Sequence, residues 1–144
     1  MAYHMGTKLV QAEPFKQGTG EDGYKVVYPD GYERWFYKDV FEAAYMKVAP
    51  NSNLKTDKPS ISQQMVDAFI RETQVVTMGE KTTVVRAVLA NGFEIVESSS
   101  CVSAENYDEA LGAQICMKHI KDKVWMLLGF LLQTAVHGIK LEER

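Results

Sequence analysis

The stretch KTTVVRAVLANGFEIVES, residues 81–98, decides how this chain is read. Two runs rich in valine, isoleucine and threonine flank Asn91-Gly92, the dipeptide that most strongly signals a two-residue β-hairpin of type I′. Strands are therefore expected over 81–90 and 93–98. A two-residue turn sets Ala90 against Phe93, Val88 against Ile95 and Arg86 against Glu97 on one face. Leu89 then lies opposite Glu94, and Ala87 opposite Val96, on the other.

Downstream of the hairpin a long helical stretch begins near Asn106, with Asp108 and Glu109 placed for the positive end of the helix dipole. It runs to about His137, where Gly138 is a stop signal. Some 30 unbroken residues would reach roughly 45 Å, more than a small domain needs. Gly129 is therefore expected to bend or break the stretch into two consecutive helices. Around it, Val124 to Leu132 is apolar on every side of a helix, and one small sheet can cover only one side. A second subunit is the expected cover, so the chain reads as a homo-oligomer.

Upstream, Ile61, Met65, Ala68 and Phe69 share one face of a short helix. Residues 49–59 are polar, bounded by Pro50 and Pro59, and read as a linker. Tyr24, Val26 and Tyr28, the turn Pro29-Asp30-Gly31 and the aromatic run from Tyr32 to Tyr37 predict a β-hairpin. Asp39 with Glu42 then suggests a capped helix carrying Val40, Phe41, Ala44 and Tyr45. The expected fold is α+β: a small antiparallel sheet followed by two carboxy-terminal helices, with an amino-terminal hairpin-helix module. The expected divisions are an accessory module over 1–50, a linker over 51–59 and an oligomerising core over 60–144.

Composition narrows the function. With 144 residues the chain holds one ordinary domain, or one domain and a short module. Its formal net charge of −3 argues against binding nucleic acid polymers, which takes a cationic excess. No secretory leader is legible in Met1 to Val10, and the longest apolar run is too short for a bilayer. The two cysteines, Cys101 and Cys116, make neither a disulfide framework nor a metal set. A reducing cytoplasm and no membrane partner are expected.

Few residues carry chemistry. Gly18-Thr19-Gly20-Glu21-Asp22-Gly23 matches the dinucleotide-binding glycine spacing, but it precedes a strand and opens no helix, so it reads as a loop. No nucleophile stands beside a base, and His4, His119 and His137 lack metal-ligand spacing. No enzyme and no cofactor are expected. Arg86 suits a phosphate or a cross-strand pair with Glu97; Phe93 suits base stacking or a small core anchor. Lys118, Lys121 and Lys123 form a cationic helix surface, either solvated, with Lys118 spaced to meet Asp122, or open to an anion. Asn106 caps a helix or sits where a phosphate settles. Together with Arg71 and Asn91 these are the ligand-binding candidates.

Three ordered segments carry a resemblance: TTVVRAVLANGF (82–93), SCVSAENYD (100–108) and KDKVWMLLGFLL (121–132). Over residues 60–137 the chain resembles a family of small phage proteins with a strand, an Asn-Gly-Phe turn, an Asn-Tyr-Asp helix start and a Lys-Val-Trp…Gly-Phe-Leu-Leu helix. The plan is similar to that of the phage anti-defence proteins that counter Thoeris, a bacterial immunity signalling through a cyclic ADP-ribose isomer. The front part resembles another phage module through Gly6-Thr7-Lys8, the run Gly23 to Tyr28 and Asp30-Gly31-Tyr32. That module reads Ser-Trp-Ser-Pro-Lys where this chain has Arg34-Trp35-Phe36-Tyr37-Lys38, so its serines and proline have no counterpart here.

The resemblance implies a sponge that sequesters a cyclic nucleotide signal without cleaving it, in the cytoplasm of the infected host. It implies a hexamer assembled from dimers with ligand pockets between subunits, and separate sites for cyclic oligonucleotides in some members. Two alternatives stay open: an accessory protein acting through protein contacts, and an enzyme that degrades the signal.

Overall fold

The computed structural model describes residues 1–142. It is α+β, as expected, and comprises two compact units. One is Met1–Val48 with the chain from Phe130 onward; the other is Ala49–Gly129.

The first unit holds a three-stranded antiparallel sheet in the order β1 (Gln11–Pro14), β2 (Gly23–Val27), β3 (Glu33–Tyr37), followed by α1 (Lys38–Ala44). Beyond the expected hairpin, β1 adds a strand whose four residues are all exposed and so carry no alternating pattern. The glycine-rich stretch is the connection between β1 and β2, with Gly20 N–H donating to the Gln17 carbonyl at 2.8 Å. Aromatic contacts tie sheet to helix: Tyr24 meets Phe41 at 4.4 Å, and Phe41 stacks on Tyr45 at 4.8 Å. The Asp39–Glu42 capping box does not form. Tyr37 occupies the N-cap, and Glu42 instead accepts the Tyr24 hydroxyl proton at 2.9 Å.

The second unit begins with α2 (Gln63–Phe69), capped by Ser62, whose hydroxyl accepts from Met65 N–H at 3.3 Å. Its antiparallel sheet runs β4 (Ile70–Met78), β5 (Thr82–Leu89), β6 (Glu94–Ser100). Sequence pattern placed strands only from residue 81 onward; β4 is an added strand, almost wholly exposed, without the period-two contrast that marks a half-buried one.

The 81–98 hairpin forms, but not with the expected turn. A type I′ turn needs positive φ at both central residues, and no residue other than glycine has positive φ among those described. Gly92 N–H donates to the Leu89 carbonyl at 2.8 Å, and Leu89 N–H to the Phe93 carbonyl at 2.8 Å. The connection is therefore three residues, Ala90-Asn91-Gly92, with Gly92 at φ 86° and Asn91 Oδ1 accepting from Phe93 N–H. This slips the ladder by one residue: Ala87 pairs with Ile95, Val85 with Glu97, and Arg86 with Val96. A one-residue slip exchanges faces, and the observed register puts Val85, Ala87, Leu89 and Ile95, all buried, on the same side. Burial decides between the two turns. Arg86 accordingly pairs with Glu94, not with Glu97.

After a short 3-10 turn, Ala104–Asn106, the chain ends in α3 (Glu109–His137). Asp108 is its cap, accepting from Leu111 N–H at 3.2 Å, while Asn106 lies in the turn before it. The expected break at Gly129 is absent and α3 is one helix of 29 residues. A mid-helix glycine costs only about 1 kcal/mol, too little to break a run flanked by strong helix formers. Its buried residues recur every fourth position: Gly112, Cys116, Ile120, Val124, Leu128. At Gly112 the helix passes so close to β5 that a Cβ would stand 2.1 Å from Thr83 Oγ1. Tyr107 completes that junction, its hydroxyl 2.8 Å from Thr83 Oγ1 and 2.7 Å from Thr77 Oγ1.

Of the apolar run 124–132, Val124 and Leu128 are buried, Trp125, Leu127 and Leu132 are half-buried, and Met126, Phe130 and Leu131 are exposed. No helix among the described residues is long and apolar enough to cross a membrane.

Candidate ligand-binding grooves

Because its buried stripe advances by four residues, α3 leaves two flanks beside it in the second unit, and each flank carries a groove. The first, about 380 Å³, is lined by Gln63 of α2 and by Gln114, Met117, Lys118, Lys121, Asp122 and Trp125 of α3. The six α3 residues follow helical spacing, so one turn after another delivers a side chain to the same strip. The second, about 290 Å³, lies between the β5–β6 hairpin and the other flank, lined by Phe93, Glu94, Ile95, Val96, Lys123, Met126 and Leu127.

The charges of the two grooves are differently committed. Lys121 Nζ stands 3.1 Å from Asp67 Oδ1, and Gln63 Nε2 donates to the same carboxylate at 3.0 Å. The Gln63 hydrogen bond first, and then Lys121, hold the Asp67 carboxyl below its ordinary range. Lys123 pairs with Glu97, whose side chain is only 17% exposed. Lys118 has no ion-pair partner among the described residues, and the expected Lys118–Asp122 pair does not form. Where α3 packs on β5, burial and then the Glu97 charge push the Cys116 thiol up.

The eight candidates are thus dispersed. Lys118 and Lys121 share the first groove; Phe93, 58% exposed, and Lys123 share the second. Arg86 is held by Glu94, and Asn91 closes the hairpin loop. Arg71 sits at the irregularity between Ile70 and Glu72 in β4, and Asn106 in the 3-10 turn, each exposed and in neither groove. Sequence reasoning missed Trp125, Gln114 and Gln63. The spacing of 114, 117, 118, 121, 122 and 125 was a signal, but Trp125 was absorbed into the apolar run. Gln63 could not be found that way, because only the folded chain brings α2 alongside α3.

In the first groove, beside the carboxylate of Asp122, an indole, an ammonium without an ion-pair partner among the described residues and two primary amides stand together. Those are the groups that stack on a base, pair with a phosphate and reach ribose or base edges. No cluster of three or more His, Cys, Asp or Glu suited to a metal ion occurs among the described residues.

Residues 61–136, from the cap of α2 almost to the end of α3, match the model of a family of phage proteins. The chain belongs to that family, the Phage protein (N4 Gp49/phage Sf6 gene 66) family. The match spans both grooves, and the resemblance to small phage proteins over this stretch holds. No curated protein and no solved structure matches the chain.

Proposed function

We propose that this phage protein is an anti-defence sponge, which binds and holds a cyclic nucleotide immune signal of the cyclic ADP-ribose class and does no chemistry on it. The observation that carries the reading is the first groove, where Trp125, Lys118, Gln63 and Gln114 converge. A pyrophosphate-bridged dinucleotide presents an adenine face for Trp125, negative charge for Lys118 and ribose hydroxyls for the two amides. Membership of a phage family supports the biological setting. The groove is shallow in a single chain, which suits a pocket completed by a second copy. The exposed apolar residues Leu111, Ile115 and Met126 on α3 suit the same arrangement. Hexamer formation from dimers, and residence in the host cytoplasm, belong to this proposal.

The second reading is an accessory protein acting by protein contacts. It is favoured by the same exposed residues, Met126 at 66% above all. Calorimetric titration with cyclic ADP-ribose isomers and cyclic di- and trinucleotides separates the two. The sponge reading expects at least one submicromolar ligand; no heat with any of them contradicts it.

A further inference from the structure

The β4 edge of the second sheet is poorly protected. β4 is an edge strand of nine residues, and from Thr73 to Met78 it contains no charge and no proline. Edge strands are ordinarily blunted by lysine, proline, bulges or brevity, because their unpaired N–H and C=O groups accept a further strand. Over these six residues β4 has none of these. The opposite edge, β6, carries Glu94 and Glu97.

The groups that are free follow from the hairpin. Leu89 N–H donates to Phe93, so Leu89, Ala87, Val85 and Thr83 direct their backbone groups toward β6. Thr82, Val84, Arg86 and Val88 therefore direct theirs toward β4, where they meet Met78, Val76, Gln74 and Glu72. Thr73, Val75 and Thr77 are left pointing their N–H and C=O groups outward, and no backbone partner meets them among the described residues. Their neighbours Gln74 and Val76 lie on the face of the sheet away from α3 and are exposed, Val76 at 45%.

We infer that β4 pairs antiparallel with β4 of a second copy about a two-fold axis at Val75, making a continuous six-stranded sheet. In that register Val75 faces its own counterpart, Thr73 faces Thr77, and Gln74 faces Val76. The three outward-pointing residues on each strand then exchange about six backbone hydrogen bonds. Moving the axis to Val76 sets Glu72 against Glu80, a like-charge pair. Moving it to Gln74 draws the irregularity between Ile70 and Glu72 into the ladder. The Val75 register is the one that avoids both. A strand paired with itself is an isologous contact, which closes at two copies. Thr77 touches the start of α3 only through its side chain, which donates to Glu109, and no β4 residue lines either groove, so the interface stands whether or not a nucleotide binds.

Light scattering on the full-length protein reads the mass. Val75→Pro removes an outward N–H and spares the β4–β5 ladder, and should lower the assembly mass at least twofold. Should that variant fail to fold, the exposed pair Gln74→Lys with Val76→Lys places four ammonium groups about the axis and should have the same effect. Register is read by a Gln74→Cys, Val76→Cys double variant in a Cys101→Ser background under mild oxidation. It should give a disulfide-linked dimer that neither single cysteine gives, because non-hydrogen-bonded pairs approach to about 4.5 Å between Cα atoms. An unchanged mass in the folded variants, or no cross-linked dimer from the double variant, overturns the inference.

Discussion

Gly112 on α3 and Thr83 on β5 are in contact across the second unit, with the position of a Cβ at residue 112 only 2.1 Å from the Thr83 hydroxyl oxygen. Thr83 is fully buried and its hydroxyl lies 2.8 Å from that of Tyr107, so it has no room to yield. Gly112→Ala should destabilise the protein by about 1–3 kcal/mol through overpacking. Gly129, in the same helix, has nothing within 4 Å of a Cβ. There the substitution to alanine should stabilise by roughly 0.5–1 kcal/mol. Urea midpoints shifting in opposite directions for the two variants check both; equal shifts would show that α3 does not rest on β5 at Gly112.

The hairpin loop gives a second prediction. Gly92 alone supplies positive φ in Ala90-Asn91-Gly92, and a β-branched residue is strained there whatever the space. Gly92→Val should cost about 1–3 kcal/mol, read as a lower melting temperature. Asn91→Ala should cost less, because it removes only the Phe93 N–H acceptor. A larger effect at Asn91 than at Gly92 would point to another turn geometry.

Gly92 and Gly129 mark how far the sequence was legible. Asn91-Gly92 announced a hairpin, helical spacing announced α2, and the start and stop residues announced the α3 stretch though not its continuity through Gly129, because turn, cap and periodicity signals are local. The slipped register was not legible, because it depends on which face α3 covers. Nor was β4, whose pairing comes from β5 and not from its own pattern. Lys118 was found as a cation on a helix and its spacing to Trp125 was there to read, but its grouping with Gln63 exists only once α2 packs nearby.

Cys116 supplies a pH-dependent prediction. Burial, aided by Glu97, raises its folded pKa, so the thiol stays protonated in the native state. The unfolded chain releases that proton near pH 8.5, the ordinary thiol value. Stability from this group is complete below that pH and falls as pH rises toward the folded pKa. Between pH 7 and 9.5 the wild type should therefore lose more stability than Cys116→Ala, whatever their absolute difference. Parallel denaturation curves across this range would remove Cys116 from the account.

Groove chemistry predicts which variants weaken binding. Lys118 is exposed and has no ion-pair partner among the described residues, so Lys118→Ala should leave melting unchanged. A charge-assisted hydrogen bond contributes roughly 1.5–3 kcal/mol, so affinity for the cyclic nucleotide should fall about tenfold to a hundredfold. Lys123→Ala in the second groove is the control and should change affinity little. The reverse ranking would move the ligand to the Phe93 side of α3.

Capture without cleavage is tested by releasing the bound ligand and weighing it. The protein is saturated with the tightest-binding cyclic ADP-ribose isomer, freed of excess ligand by gel filtration, and heat-denatured, and the supernatant is analysed by mass spectrometry. A sponge returns the intact nucleotide in near-stoichiometric amount. Recovery of a linear or hydrolysed product would contradict it in favour of an enzyme. Recovery of nothing would contradict it in favour of a protein that acts by contacts alone.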